Sequence, residues 1–207
     1  MCLPRRLVIA SRNAGKVAEL RRMLEAWGVP EVHGIAELSD APEPLEDGAT
    51  YIDNARIKAV SGAAATGLPT LADDSGLEVD ALDGRPGVHS ARYGGLGLDD
   101  RDRIARLLAE LDGVPEVRRG AAFRAVVVLA WPGGRKVAAE GECRGGIAPA
   151  PRGSGGFGYD PVFVFPAFGR TFAEVSPAEK ARVDHRGRAM EALRVRVLAD
   201  CLGSGSA

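Results

Sequence analysis

The feature that most constrains this chain is a pair of runs separated by a turn. Residues 121–131 are apolar apart from Arg124, and Pro132, Gly133 and Gly134 follow before Lys136 to Cys143 returns. Two such runs around a Pro-Gly-Gly turn read as an antiparallel β-hairpin. The N-terminal segment is of another kind. Arg6 to Ala10 reads as a short buried strand and Ser11 to Ala14 as a polar loop. From Lys16 to Trp27, the positions Val17, Leu20, Leu24 and Trp27 follow helical spacing up to a stop at Gly28. A βα unit and a hairpin in one chain require an α/β fold with a mixed sheet.

The remaining elements follow by the same reading. Glu31 to His33 is a second strand. Residues 37–49 hold Pro42, Pro44, Gly48 and five acidic side chains, and so form a loop. A helix is expected from Thr50 to Thr66, with Thr50 and Asp53 as a capping box, Ile52, Ala55, Ala59 and Ala63 facing inward, and Gly67 closing it. Thr70 to Asp74 reads as a strand that ends in carboxylates, with Leu77 to Val79 a separate extended piece. Glycines mark 83–97 as loop, and Arg101 to Leu111 is a third helix. The glycine-rich run Arg152 to Asp160 precedes a strand from Pro161 to Phe165. Pro177 at a first helical position starts a short helix. A last helix runs from Gly187 to Leu202, and residues 203–207 are expected to fray. No repeat or low-complexity linker divides residues 1–207, which are read as one domain.

Composition removes several function classes. The formal charge is −1, so no bulk electrostatic drive toward nucleic acid or an anionic membrane exists. The cysteines, Cys2, Cys143 and Cys201, are odd in number and widely spaced, which gives neither a disulfide framework nor a zinc motif and suits a reducing compartment. No apolar stretch approaches a membrane span. The reading is therefore a cytoplasmic protein. Of 27 cationic side chains only four, Lys16, Lys58, Lys136 and Lys180, are lysines. A lysine kept in such an arginine-rich chain marks a place where a compact ammonium is wanted.

Four segments have the residue types for chemistry. Ser11, Arg12, Asn13, Ala14, Gly15 and Lys16 link a strand to a helix, where backbone N–H groups and the helix dipole favour an anion. The spacing is not that of a Walker A loop, and taken alone the segment reads as a capped helix start. In Ala72 to Gly76, Asp73 and Asp74 point to opposite sides of a strand, and one inward carboxylate is enough to anchor magnesium beside phosphate oxygens. A polar turn is the plainer alternative. In Gly153 to Asp160 the glycines allow close backbone approach and Phe157 offers a flat face for a base. A loop folded back on the core reads equally well. Lys180, with Asp184, His185 and Arg186, can bind a phosphate or a carbonyl oxygen, or can form an ordinary solvated face. Taken together, these segments suit a nucleotide with its phosphates and a magnesium ion.

Seven separated blocks carry a resemblance across nearly the whole chain, in order. They are Ser11 to Lys16, Glu46 to Gly48, Asp53 to Ala55 with Lys58, Ala72 to Leu77, Pro86 to Tyr93, Gly155 to Pro161 and His185 to Gly187. They resemble the inosine triphosphate pyrophosphatase family, the XTP/dITP diphosphatases that clear non-standard purine nucleotides. The resemblance implies an elongated mixed β-sheet flanked by helices, two lobes with a central cleft, a homodimer, and Mg2+ as cofactor. It implies hydrolysis of dITP, ITP or XTP to the monophosphate and pyrophosphate, as house-cleaning of the nucleotide pool. Carried over by position, Ser11 to Lys16 would bind the triphosphate. Asp74 would be proton acceptor and metal ligand, Glu46 a second metal contact, and Ser75 a substrate contact. Phe157, Gly158, Tyr159 and Asp160 would hold base and sugar, with Lys180, His185 and Arg186 completing the base site. Asp184 stands where the family commonly has Ser, so it bears on base recognition. Arg186 can only donate, which matches a purine 6-carbonyl and not a 6-amino group. The competing readings are a pyrophosphatase for other modified nucleotides and a non-catalytic nucleotide-binding protein. The presence of both Glu46 and Asp74 speaks against the latter.

Overall fold

The structure is a computed structural model that describes residues 3–95 and 97–203, with side chains described through residue 200. Its elements are β1 (Arg6–Ile9), α1 (Ala14–Ala26), β2 (Glu31–Gly34), α2 (Tyr51–Thr66), β3 (Thr70–Val79), α3 (Asp100–Glu110), β4 (Gly120–Ala130), β5 (Lys136–Ile147), β6 (Phe163–Phe165), β7 (Arg170–Thr171), α4 (Pro177–Val183) and α5 (His185–Gly203). The strands form one sheet of seven in the order β2-β1-β3-β4-β5-β6-β7. β1 pairs in parallel with β2, Val8 opposite His33, and with β3, Ile9 opposite Leu71. β5, β6 and β7 pair antiparallel in succession. The sheet is therefore mixed, as the βα unit and the hairpin require. The hairpin turn closes through Gly134 N–H on the Trp131 carbonyl at 2.9 Å.

Two corrections to the sequence reading matter for the site. The strand that was expected to stop at Asp74 runs on to Val79. Leu77 and Val79 are fully buried, and the Leu77 N–H donates to Ser90 Oγ at 2.8 Å, so burial carries the strand through its polar centre. The strand expected from Pro161 begins only at Phe163, because the Val162 N–H turns back to the Tyr159 carbonyl at 3.0 Å. Helix boundaries shift less. Asn13 caps α1, which starts at Ala14 and not Lys16, and α5 starts at His185. Thr50 and Gly67 cap α2 as expected, with Gly67 in the left-handed conformation at φ 66°.

The chain divides into two compact units: one holds residues up to Asp74, 125–141 and from Arg186 on, the other 75–124 and 142–185. In the first, β4 is buried on both faces. Ala125, Val127 and Leu129 join Leu20 and Leu24 of α1 and Met190 and Leu193 of α5. The alternate residues Val126, Val128 and Ala130 meet Ala55, Ala59 and Ala63 of α2. That is the period of two of a strand covered on each side. Alanines and Gly62 bring α2 close: a Cβ at Gly62 would stand 2.7 Å from Thr70 Cγ2. In the second unit Ile104, Leu107 and Leu111 pack with Leu77, Val79 and an aromatic group in which Phe123 and Phe163 centroids lie 4.5 Å apart.

Among the described residues no helix is long and apolar enough to cross a membrane. Cys143 is buried and in no disulfide; the side chains of Cys2 and Cys201, and the tail from residue 204, lie outside the described residues.

Candidate active site

In the first unit, Ser11 to Lys16 leaves the carboxyl end of β1 and opens α1. Asn13 Oδ1 accepts the Lys16 N–H at 3.0 Å, and Ser11 Oγ accepts the Asn13 N–H at 3.2 Å. Ala14 and Gly15 form the first helical turn, where the positive end of the helix dipole favours an anion. Parallel strand ends in open α/β sheets are where such ligands bind. Arg12 is exposed and donates to the Ala41 carbonyl at 2.8 Å, which ties the start of α1 to the acidic loop.

Asp73 and Asp74 face opposite ways on β3 and enter different networks. Asp73 is buried. Its Oδ1 meets Lys16 Nζ at 2.8 Å, and its Oδ2 accepts from Arg186 Nε at 3.2 Å. Arg186 is itself buried and reaches Glu19 through Nη1 at 2.6 Å. Burial alone would raise the Asp73 carboxyl. The cations Arg186, Lys16 and Lys58 outweigh it and hold the group well below the usual carboxylate range.

Asp74 is met from α2. Lys58 Nζ contacts Asp74 Oδ1 at 2.9 Å and Glu46 Oε2 at 2.9 Å, so one ammonium joins both carboxylates. Asn54 Nδ2 donates to the other Asp74 oxygen at 3.3 Å, while Asn54 Oδ1 accepts the Gly48 N–H at 2.9 Å. Burial pushes the Asp74 carboxyl up, against the pull of Lys58 and Lys16. Burial would lower Lys58, but Asp74, Glu46 and Asp73 raise it, so it stays an ammonium. A buried carboxylate with raised proton affinity, held at both oxygens, has the properties of a general base.

In the second unit Ser75 follows on β3 and is half-buried. The glycine-rich run folds around Asp160, which is buried and accepts the Phe157 N–H at 3.0 Å and Lys180 Nζ at 2.7 Å. A Cβ on Gly156 would stand 2.1 Å from Asp160 Oδ2, which is why glycine is needed there. The Gly158 N–H donates to Asp100 Oδ2 at 2.7 Å, and the buried Tyr159 donates its hydroxyl to the Ser90 carbonyl at 3.0 Å. Lys180 Nζ lies 4.9 Å from the Phe157 ring centroid. His185 is buried and stacks on Phe123 at 4.7 Å. Asp184, fully buried, closes α4 through its N–H on the Lys180 carbonyl at 2.9 Å.

Within the first unit the structure thus joins Glu46 and Asp74 through Lys58, whereas Lys16 and Arg186 meet on Asp73, which faces the other way. Within the second, Phe157, Asp160 and Lys180 meet, while Gly158 turns to Asp100, Tyr159 to Ser90 and His185 to Phe123. Sequence reasoning singled out Lys58 among the scarce lysines but named no site contact for it, nor for Asn54, Asp73 or Glu19. The i, i+4 spacing of Asn54 and Lys58 was the available signal, since it puts two polar side chains on neighbouring turns of an alanine-faced helix.

One unit offers a helix start at a parallel strand end and paired buried carboxylates, the other an aromatic loop backed by a lysine, residue types in an α/β fold that suit a nucleotide. The chain belongs to the Ham1 family, whose model matches residues 7–196. It is 49% identical to a dITP/XTP pyrophosphatase of Geobacillus kaustophilus, over 90% of this chain and 91% of that one. Another, from Nocardia farcinica, is 52% identical over 91% of this chain and 92% of its own length. Among solved structures, a HAM1 protein from Coxiella burnetii superposes with a TM-score of 0.82 at 39% identity, covering 94% of this chain and 98% of that chain. A nucleoside-triphosphatase / dITP/XTP pyrophosphatase from Mycobacterium abscessus gives 0.71 at 49% identity, covering 91% and 98%.

Proposed function

We propose that this chain hydrolyses non-standard purine nucleoside triphosphates, dITP, ITP and XTP, to the monophosphate and pyrophosphate. The observation that carries the reading is Asp74, a buried carboxylate held at both oxygens beside Glu46 and one residue from the carboxylate that anchors Lys16. Relatives that share about half of this sequence along nearly its whole length bear the name dITP/XTP pyrophosphatase.

Asp74 orients or deprotonates the water that attacks the α-phosphorus, a contribution typically worth about 10²–10⁴-fold. Lys16 and the first-turn amides of α1 bind the triphosphate and stabilise charge as the bond to the β-phosphate breaks. Ser11 to Gly15 shape that loop, and Ser75 contacts substrate. The base and sugar fall to Phe157, Gly158, Tyr159 and Asp160, with Lys180, His185 and Arg186 at the base. Arg186 is buried and donates through Nε and Nη2 to Asp73 and through Nη1 to Glu19; its part in selectivity rests on a guanidinium being a donor only.

Magnesium is the cofactor of this reading. Glu46 and Asp74 each turn an oxygen toward the one point held by Lys58 Nζ. That donor set of hard oxygens suits an ion that takes one or two carboxylates and completes its shell with water and phosphate. Held by Glu46 and Asp74 beside that ammonium, magnesium would screen phosphate charge and stabilise the pyrophosphate leaving group. The reading includes a cytoplasmic homodimer without nucleic-acid or membrane partners; light scattering on the purified protein tests the dimer.

The decisive experiment is pyrophosphate release with magnesium from a panel of dITP, XTP, dATP, dGTP, dUTP and methylated dNTPs. Turnover of dITP and XTP well above the rest is expected. Preference for a modified pyrimidine would favour the competing pyrophosphatase reading, and no release from any substrate would favour a binding protein.

A further inference from the structure

α2 does more for the site than carry Lys58. Asn54 and Lys58 stand four residues apart, on successive turns, and each has one contact on Asp74 and one on the acidic loop. Lys58 joins Asp74 Oδ1 to Glu46, both at 2.9 Å. Asn54 joins Asp74 Oδ2, at 3.3 Å, to the Gly48 backbone N–H, at 2.9 Å. The two are not equivalent. Lys58 is a flexible, charged stem. Asn54 is 1% exposed, short and planar, and it uses an amide donor and a carbonyl acceptor in opposite directions at once. The packing admits little slack. A Cβ on Gly48 would stand 2.7 Å from Asn54 Oδ1 and 2.9 Å from the Asn54 backbone nitrogen.

We propose that Asn54 is a positioning residue for the hydrolytic step: it fixes the plane of the Asp74 carboxylate and locks it in register with the Glu46–Gly48 loop. The proposal rests on the assignment of Asp74 as base. A carboxylate held by Lys58 alone can rotate about its Cβ–Cγ bond and swing about the ammonium. A second donor on the other oxygen removes that freedom and leaves the remaining lone pairs facing in fixed directions. The Gly48 N–H in turn holds the Asn54 amide against flipping, because a flipped amide would set N–H against N–H and oxygen against carboxylate. Asn54 touches neither phosphate nor attacking water in this role, so its effect falls on turnover and not on nucleotide binding.

The test is steady-state hydrolysis of dITP by Asn54→Ala, Asn54→Asp and Asp74→Asn, with thermal midpoints measured alongside. A misplacement of about 1 Å in a reacting group is worth about a hundredfold. Asn54→Ala is therefore expected to lower kcat by about ten- to a hundredfold with KM changed by less than about threefold. Asn54→Asp keeps the shape and the acceptor for Gly48 but loses the donor to Asp74, and is expected to fall at least as far. If Asn54→Ala does not fold, Asn54→Ser supplies the same comparison. Turnover by Asn54→Asp within about twofold of the parent, or losses confined to KM, would overturn the proposal while an inactive Asp74→Asn left the base assignment standing. Near-normal turnover by Asp74→Asn would remove both.

Discussion

At the scale of single residues, two adjacent aspartates on one strand end up with opposite acid–base characters. Asp73 is lowered because Arg186, Lys16 and Lys58 surround it; Asp74 is raised because burial outweighs Lys58 and Lys16. The sign for stability follows from the first. A carboxyl whose folded value is depressed stabilises the fold fully above its unfolded value of about 3.9, and that contribution is lost as pH falls through the folded value. Asp73→Asn is thus expected to cost about 3 kcal/mol at neutral pH, the low end for a broken buried pair, because Glu19 still meets Arg186. Thermal midpoints against pH check it: the gap between parent and variant should be constant above about pH 5 and close at acid pH. Activity is lost in the same direction: Asp74 must be ionised to act as base, so the kcat profile should carry an acid limb. Lys58→Met removes a cation that lowers Asp74 and should move that limb to higher pH.

At the scale of elements, the tightest constraint is the glycine loop around Asp160. Gly156 sits at φ +70° with Asp160 Oδ2 2.1 Å from where its Cβ would be. Gly156→Ala should therefore displace Asp160 from Lys180 and the Phe157 N–H, and raise KM for dITP by about tenfold or more with a smaller effect on kcat. Parallel KM measurements for dITP and pyrophosphate-inhibition constants separate base from phosphate binding. The elements themselves were legible where pattern and caps agree. Asn13, Thr50 and Ser176 each cap a helix whose apolar spacing is clear, and the hairpin announces itself by its turn. β3 was not legible as one strand, because it read as ending at the carboxylates Asp73 and Asp74, with Ser75 and Gly76 dividing it from Leu77, until the cations that neutralise the two carboxylates are known. Those partners come from α1, α2 and α5, at separations that no local pattern reports. The same reason hid Asn54, whose two contacts lie 6 and 20 residues away.

At the scale of the whole molecule, the scarcity of lysine turned out to be informative. Lys16, Lys58 and Lys180 each meet a buried aspartate, Asp73, Asp74 and Asp160 in turn, whereas Lys136 meets only the Gly134 carbonyl at the surface. A fork-shaped guanidinium does not fit where a compact ammonium is shared. Lys→Arg replacements at 16, 58 and 180 should each lower kcat/KM by tenfold or more, while Lys136→Arg leaves activity unchanged and stability within about 0.5 kcal/mol. Parallel assays of the four variants decide this.

The unbroken course of β3 has a consequence for how the enzyme fails. Many sites are built on loops that open locally long before the domain melts. Here the reacting carboxylate stands midway along a ten-residue strand whose backbone is buried on either side of it. Its amides should exchange with solvent only through global opening, and warming should leave turnover intact until the fold itself gives way. Inactivation and unfolding would then be one event, traced by a single sigmoid in both assays.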